Sequence, residues 1–409
     1  MPVRVAIACQ GGGSHTAFTA GALKAILEAD PETKPFEIVA VSGTSGGAIC
    51  ALLAWYGLIQ DGRANTDPEG HGGTIDGKIE AAALLSEFWT REWPAGNATQ
   101  PSRDALRAFA KSLRSGNPQM ATAQLFDSAR NDLVQLVGPW MSNPAFGINV
   151  ELNPYFISNL VELATSRSGQ SLETVRRLWD AQQAIKDLLA GYVDFDDVER
   201  TATAANGFLP ALHIGAVDVL GGDFKVFSSQ AEPALWPVNG ITADTIVAST
   251  ALPTLMRAVA VGESIYWDGL FSQNPPIHDL PDVHAERFPE NNPEEIWIIR
   301  INPRRRAEEP RNTADIHDRR NELAGNLSLR HEIRSIRKIN DLLESGVIDG
   351  NDARHGYKPV VIRQIEIGSA LAGKLDPLSK LDRKTGFIHR LIADGERQAA
   401  AALKEWGYV

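Results

Sequence analysis

The sequence predicts an α/β fold: a mostly parallel central sheet with helices on both faces, carrying a helical insertion and a helical C-terminal region. Three observations predict it. Short, β-branched apolar runs at residues 3–9, 36–42 and 295–301 read as strands buried on both faces. Between the first two, Phe18, Ala22, Ala25, Ile26 and Ala29 recur at helical spacing. Each of these two strands also runs straight into a glycine-rich segment, Gly11-Gly12-Gly13 after the first and Gly43-Thr-Ser45-Gly46-Gly47 after the second. Two strands joined by a helix lie parallel with a right-handed crossover, so both glycine segments belong at one edge of the sheet.

The second segment has the form Gly-x-Ser-x-Gly, a nucleophile elbow. A sharp strand-to-helix turn, permitted by Gly43 and Gly47, lifts the hydroxyl of Ser45 clear of the backbone. The triplet Gly11-Gly12-Gly13 leaves backbone N–H groups uncovered at a helix N-terminus and able to bind an anion. Beside a nucleophilic serine that anion is the oxyanion of acyl transfer. A dinucleotide or phosphate loop fits worse. The third glycine of its fingerprint is Thr16, no acid ends the second strand, and no Gly-Lys-Ser/Thr follows.

An elbow so early in the chain does not suit a Ser-His-Asp triad on the α/β-hydrolase plan, where several strands precede it. Of the histidines, His213 opens an apolar run and His278 and His284 lie in a Pro-rich stretch; each reads as an ordinary surface or loop histidine. Asp268 stands out. It ends the run Ser264-Ile-Tyr-Trp267 and precedes Gly269, a strand end where a carboxyl desolvated beside Trp267 serves as a base. Asp-Gly is equally a common turn dipeptide, so local sequence leaves both readings open.

Three blocks in order, Gln10-Gly-Gly-Gly-Ser-His15, Gly43-Thr-Ser-Gly-Gly47 and Asp268-Gly-Leu270, resemble the patatin-like phospholipases. Gly147-Ile-Asn-Val-Glu-Leu-Asn-Pro154, Ala248-Ser-Thr-Ala-Leu-Pro253 and Ser328-Leu-Arg-His-Glu-Ile-Arg334 add lesser matches across nearly the whole chain. The resemblance implies a three-layer α/β/α fold and a Ser/Asp dyad without histidine. Ser45 would attack a lipid carboxylic ester, Asp268 would act as base, and Gly11, Gly12, Gly13 and Gly46 would supply oxyanion donors. It implies no cofactor and no metal. The chain departs from the family at His15 and Thr16, where Arg or Lys and then Gly are usual, and at Leu270, which replaces a small residue. Thr16 and Leu270 keep one alternative in view, a catalytically silent lipid-binding or regulatory protein; another, an esterase on a non-phospholipid acyl substrate, shares the mechanism and differs only in the pocket.

With 409 residues the chain is expected to hold a catalytic domain at 1–302, with an insertion at about 60–205, and a mostly helical region at 303–409. Residues 61–78 read as a Gly-rich loop, in which His71 belongs to a plain turn. Residues 79–93, 101–113 and 172–189 read as amphipathic helices, whose Trp89, Trp93, Trp140 and Trp179 either roof the site or fill the core. The sheet is expected to resume with a hairpin, 212–220 and 224–228 around Gly221-Gly222-Asp223, and with 246–249 leading to Leu252-Pro253. Residues 360–367 and 381–406 read as a last strand and a long helix. Two cysteines, Cys9 and Cys50, suit the core and a reducing cytoplasm better than a disulfide framework. No signal peptide and no membrane-length apolar run is visible. The net charge of −11 argues against nucleic acid as a partner. Residues 300–338 run against that charge, with eleven Lys/Arg and six Asp/Glu, which reads as a peripheral docking surface for anionic lipid or as a solvated face. The oligomeric state is left open.

Overall fold

Alternation along the first strand sets up the layers. Val5, Ile7 and Cys9 of β1 (Val3–Cys9) enter one core cluster, while Ala6 and Ala8 enter a second on the opposite face. The computed structural model describes residues 2–29, 34–64, 76–93, 181–204, 208–253, 256–306, 308–311, 313–349, 358–375 and 378–409. The helix expected at 101–113, His71, Trp140, Trp179 and the 147–154 block lie outside them. The other strands are β2 (Phe36–Thr44), β3 (Ala211–Asp218), β4 (Phe224–Ser228), β5 (Val259–Val261), β6 (Ser264–Asp268), β7 (Glu295–Arg300) and β8 (Val361–Glu366). Hydrogen bonding links them as β5-β6-β3-β2-β1-β7-β8, with β4 also on β3. Neighbours in the run β3-β2-β1-β7-β8 pair in parallel; β4 and β6 pair antiparallel with β3, and β5 with β6. The result is the expected mixed, mostly parallel sheet flanked by helices.

One face is covered by α1 (Ala17–Leu27), α2 (Gly46–Ala64) and α8 (Thr385–Glu405). Helices α1 and α8 cross at glycines: a Cβ on Gly395 would stand 2.1 Å from the Phe18 carbonyl oxygen, so only glycine admits this approach. The other face is covered by α7 (Thr313–Glu344), whose Leu329, Ile333 and Ile336 pack on Ala6, Ala8, Ile296 and Ile298. Burying each such aliphatic side chain contributes about 1.5–3 kcal/mol relative to exposure. Strand β8, from the C-terminal region, is part of the same sheet.

The insertion is partly described. Helix α3 (Asp76–Glu87) runs into a π-helical turn, Phe88–Glu92, which covers the expected helix at 79–93. Helix α4 (Ala181–Ala190) is the described end of the expected 172–189 helix. Helix α5 (Phe195–Ala204) is started by Asp194, whose Oδ1 accepts from the N–H groups of Asp196 and Asp197 at 3.1 Å each. The loop expected over 61–78 is corrected at both ends: Asp61 to Ala64 extend α2, and Asp76 opens α3. Residues 246–249 are likewise helical, within α6 (Ala243–Thr250). Thr242 and Thr245 form a reciprocal capping box there, and it outweighs the β-branched run that suggested a strand. The hairpin around Gly221-Gly222-Asp223 forms as expected.

Candidate active site

The register of β3 assembles the site. Its residues 213–215 pair with β2 on one side and β4 on the other, whereas 216 and 217 pair with β4 and β6. Strand β6 therefore takes the place beside β3 that β2 vacates. Thr44 closes β2 opposite Gly215, and Asp268 closes β6 opposite Ala216, so two strands meet end to end. Ser45 follows Thr44 directly and thus stands next to Asp268.

Ser45 occupies the left-handed region at φ 58°, a strained conformation for a non-glycine residue. The surroundings hold it there. Its N–H donates to Ser249 Oγ at 3.0 Å, and Ser249 in turn donates to the Gly215 carbonyl at 2.6 Å. Thr44 Oγ1 donates to the Gln273 carbonyl at 2.6 Å. Gly47 is required by contact, since a Cβ there would lie 2.1 Å from the Cys9 carbonyl oxygen. Gly43 packs against the Gly47 carbonyl, and Gly269 against Thr44 and the Gly215 backbone.

Asp268 is 1% exposed. Burial pushes its carboxyl up to about 7; the Ser45 side chain and the Leu270 N–H favour the ionised form and offset part of that rise. The Leu270 N–H donates to Oδ1 at 2.9 Å, and the Asp268 N–H donates to the Ala251 carbonyl at 3.0 Å. The Ser45 side chain is the other hydrogen-bonding group on this carboxyl. Trp267 is not the cover expected for it, because adjacent strand residues face opposite sides of a sheet. The cover is the abutting end of β2 and the segment after α6.

The glycine triplet sits beside the elbow, as expected from the parallel pairing of β1 with β2. Its N–H groups are not equally available. Gly11 donates to Asn274 Oδ1 at 2.8 Å, and Gly12 donates to Thr16 Oγ1 at 3.1 Å. Among the described residues no acceptor takes the N–H of Gly13 or Gly46. Asn274 also donates from Nδ2 to the Gly11 carbonyl at 3.0 Å, so one buried amide grips both sides of this residue. Gln10 extends the grip: its Nε2 donates to the Asn274 carbonyl at 3.1 Å, and its Oε1 accepts from the N–H groups of Ile301 and Asn302 at 3.0 and 2.9 Å. Sequence reasoning missed Asn274, Gln10, Thr44 and Ser249 as parts of the site. Ser249 lay within the Ala-Ser-Thr-Ala-Leu-Pro block and Asn274 stood before Pro275, which were the available signals.

One histidine is corrected: His213 is a buried strand residue of β3, while His284 lies in a loop as expected but is buried there. Burial lowers His213 to about 4, and His284 bridges the Val39 carbonyl and Gln230 at 2.8 Å each. His15, the departure after the triplet, is buried with Nε2 at 2.7 Å from Ser379 Oγ. Trp89 belongs to the core, whereas Trp93 reaches the glycine loop, its Nε1 donating to Ser14 Oγ at 3.2 Å. Cys9 and Cys50 are both buried and free. Among the described residues no group of three or more His, Cys, Asp or Glu is arranged to hold a metal.

Fold and site together define a mixed α/β/α protein with a serine elbow and a buried acid at abutting strand ends. The patatin-like phospholipase profile matches residues 7–281, and the chain belongs to that family. Lipid acyl hydrolysis is the activity this membership supports. No curated protein matches the chain. Among solved structures, the crystal structure of VipD from Legionella pneumophila is similar at 14% identity, covering 99% of this chain and 67% of that one, with a TM-score of 0.39.

Proposed function

We propose that the chain cleaves a lipid carboxylic ester with Ser45 as nucleophile and Asp268 as its base. The observation that carries this reading is the end-to-end meeting of β2 and β6, which puts a buried carboxyl titrating near neutrality beside a serine held at positive φ. Ionised Asp268 takes the Ser45 hydroxyl proton as Oγ bonds to the ester carbonyl carbon. The carbonyl oxygen becomes an oxyanion, stabilised by backbone N–H groups. Collapse expels the alcohol, which leaves with the proton from Asp268. Asp268 then takes a proton from water, whose oxygen attacks the acyl-enzyme, and returns it to Ser45 as the fatty acid departs.

Of the four glycines implied as donors, Gly13 and Gly46 fit the role best, because Gly11 and Gly12 already have acceptors. The latter two act as framework. Thr16, where the family has glycine, is what holds Gly12. Turnover of p-nitrophenyl esters and of mixed phospholipids by wild type, Ser45→Ala and Asp268→Asn tests the proposal. Loss of at least about a hundredfold in both variants is expected, as is fluorophosphonate labelling at Ser45. Equal turnover in all three proteins refutes it.

A further inference from the structure

Helix α7 has one face built for the protein and one that is not. Its inner face carries Gly325, which lies against the Leu270 carbonyl just after the candidate acid, and Glu332, whose Oε2 accepts from the Ile277 N–H at 2.9 Å. The helix is thereby fixed to the loop that follows Asp268. Its outer face shows Arg320, Leu323, Leu327, Arg330, Arg334 and the pair Arg337 and Lys338, all exposed. The spacing of three, four, three, four and three residues makes them a single stripe. From 320 to 338 it runs about 27 Å at 1.5 Å per residue.

The charge on this stripe is one-sided. The two carboxylates in that stretch, Glu322 and Glu332, are buried at 4% and 8% exposure, so among the described residues five cations face solvent there with no exposed acid between them. The whole chain carries −11, so this face is a local reversal. Leu323 and Leu327, 40% and 50% exposed, occupy the end of the stripe nearest the Asp268 turn, and the cations continue away from it. Exposed leucines in line with arginines give a helix an affinity for a bilayer surface: the side chains enter the acyl boundary and the cations meet anionic head groups. A solvated face would carry acids among its bases.

We infer that the outer face of α7 docks the protein on an anionic lipid bilayer, with Leu323 and Leu327 entering it at the level of the helix that packs on the Asp268 turn. This rests on the reading of the chain as a lipid hydrolase, but its test does not require turnover. Full-length Ser45→Ala protein, which cannot consume the membrane under that reading, is floated with vesicles of phosphatidylcholine alone or with about one third phosphatidylserine, at low and high salt. Flotation with the anionic vesicles only, weakened by salt, is expected. Each cation removed lowers partitioning about fivefold, so Arg330→Gln, Arg334→Gln and Lys338→Gln together lower it about a hundredfold. Leu323→Ser with Leu327→Ser lowers it about tenfold. In the otherwise wild-type chain, the same substitutions leave hydrolysis of a soluble short-chain ester unchanged. Equal flotation with neutral vesicles overturns the inference, as does undiminished flotation of the glutamine variant. So does retention on a single-stranded oligonucleotide without any on vesicles, or loss of soluble-ester turnover in the stripe variants. If Ser45→Ala and wild type turn over ester equally, the hydrolase reading fails while flotation still reports on the docking face.

Discussion

Replacing Asp268 by Asn should make the protein more stable while removing the proposed base, and the size of the gain depends on pH. The folded carboxyl sits at about 7 against its ordinary value of 3.8, with burial as the main cause. The folded state thus holds the proton more tightly than the unfolded state does. The site costs nothing below pH 3.8, costs progressively more as the pH rises, and reaches its full cost above about 7. At 1.36 kcal/mol for each pH unit the full cost is about 4 kcal/mol, of which about 2.5 develops between pH 5 and pH 8. Asparagine has the same shape, keeps an acceptor for the Leu270 N–H and carries no charge. Urea unfolding of wild type and Asp268→Asn at pH 5, 6, 7 and 8 measures the difference. Titration of buried His213 and His284 affects both proteins alike and cancels. The variant's advantage should widen by about 2–3 kcal/mol across that range. A gap constant to within about 0.5 kcal/mol would show that the carboxyl is not held above its ordinary value, and the argument from burial would fail.

Activity should follow the same ionisation: wild-type kcat/KM on a soluble ester rises with pH through about 7, since the base works only when ionised. A profile flat from pH 5 to 8 would count against Asp268. Asn274→Ala breaks both bonds to Gly11 and leaves a buried N–H and a buried carbonyl unpaired, which costs about 2–6 kcal/mol of stability in a urea titration. Its kcat should fall about a hundredfold with KM little changed, because a misplaced oxyanion loop is felt at the transition state. Ser249→Ala removes the acceptor for the Ser45 N–H and should lower the rate of fluorophosphonate labelling about tenfold, a change read by gel fluorescence over time.

The fold was largely legible because its signals are local. Residues 3–9 and 295–301 are apolar on both faces, and such runs become interior strands with little regard to what lies elsewhere. The elbow was legible for the same reason, since Gly43 and Gly47 answer to contacts within a few residues and with the adjoining strand. What was hidden depends on partners far along the chain. Nothing near Asp268 reveals that β6 will pair with β3 just where β2 stops. Nothing near Gly11 reveals that its N–H and carbonyl will be taken by an amide 263 positions away. Residues 246–249 misled because a short run of β-branched and small residues suits a buried helix as well as a strand, and the capping pair Thr242 and Thr245 decides between them.

The meeting of β2 and β6 on one stretch of β3 has a consequence for how this chain can change. Ser45 and Asp268 are not positioned by the residues that join them in sequence; both are measured off the same straightedge, one rung apart. The ladder admits only whole steps, and a slip of β6 by one step would turn the carboxyl to the opposite face of the sheet. The spacing is therefore either right or lost, with no gradual drift between. The described helices between the elbow helix and β3 carry no part of that spacing; they are tied instead to the core, through Phe88, Trp89, Leu189 and Val198.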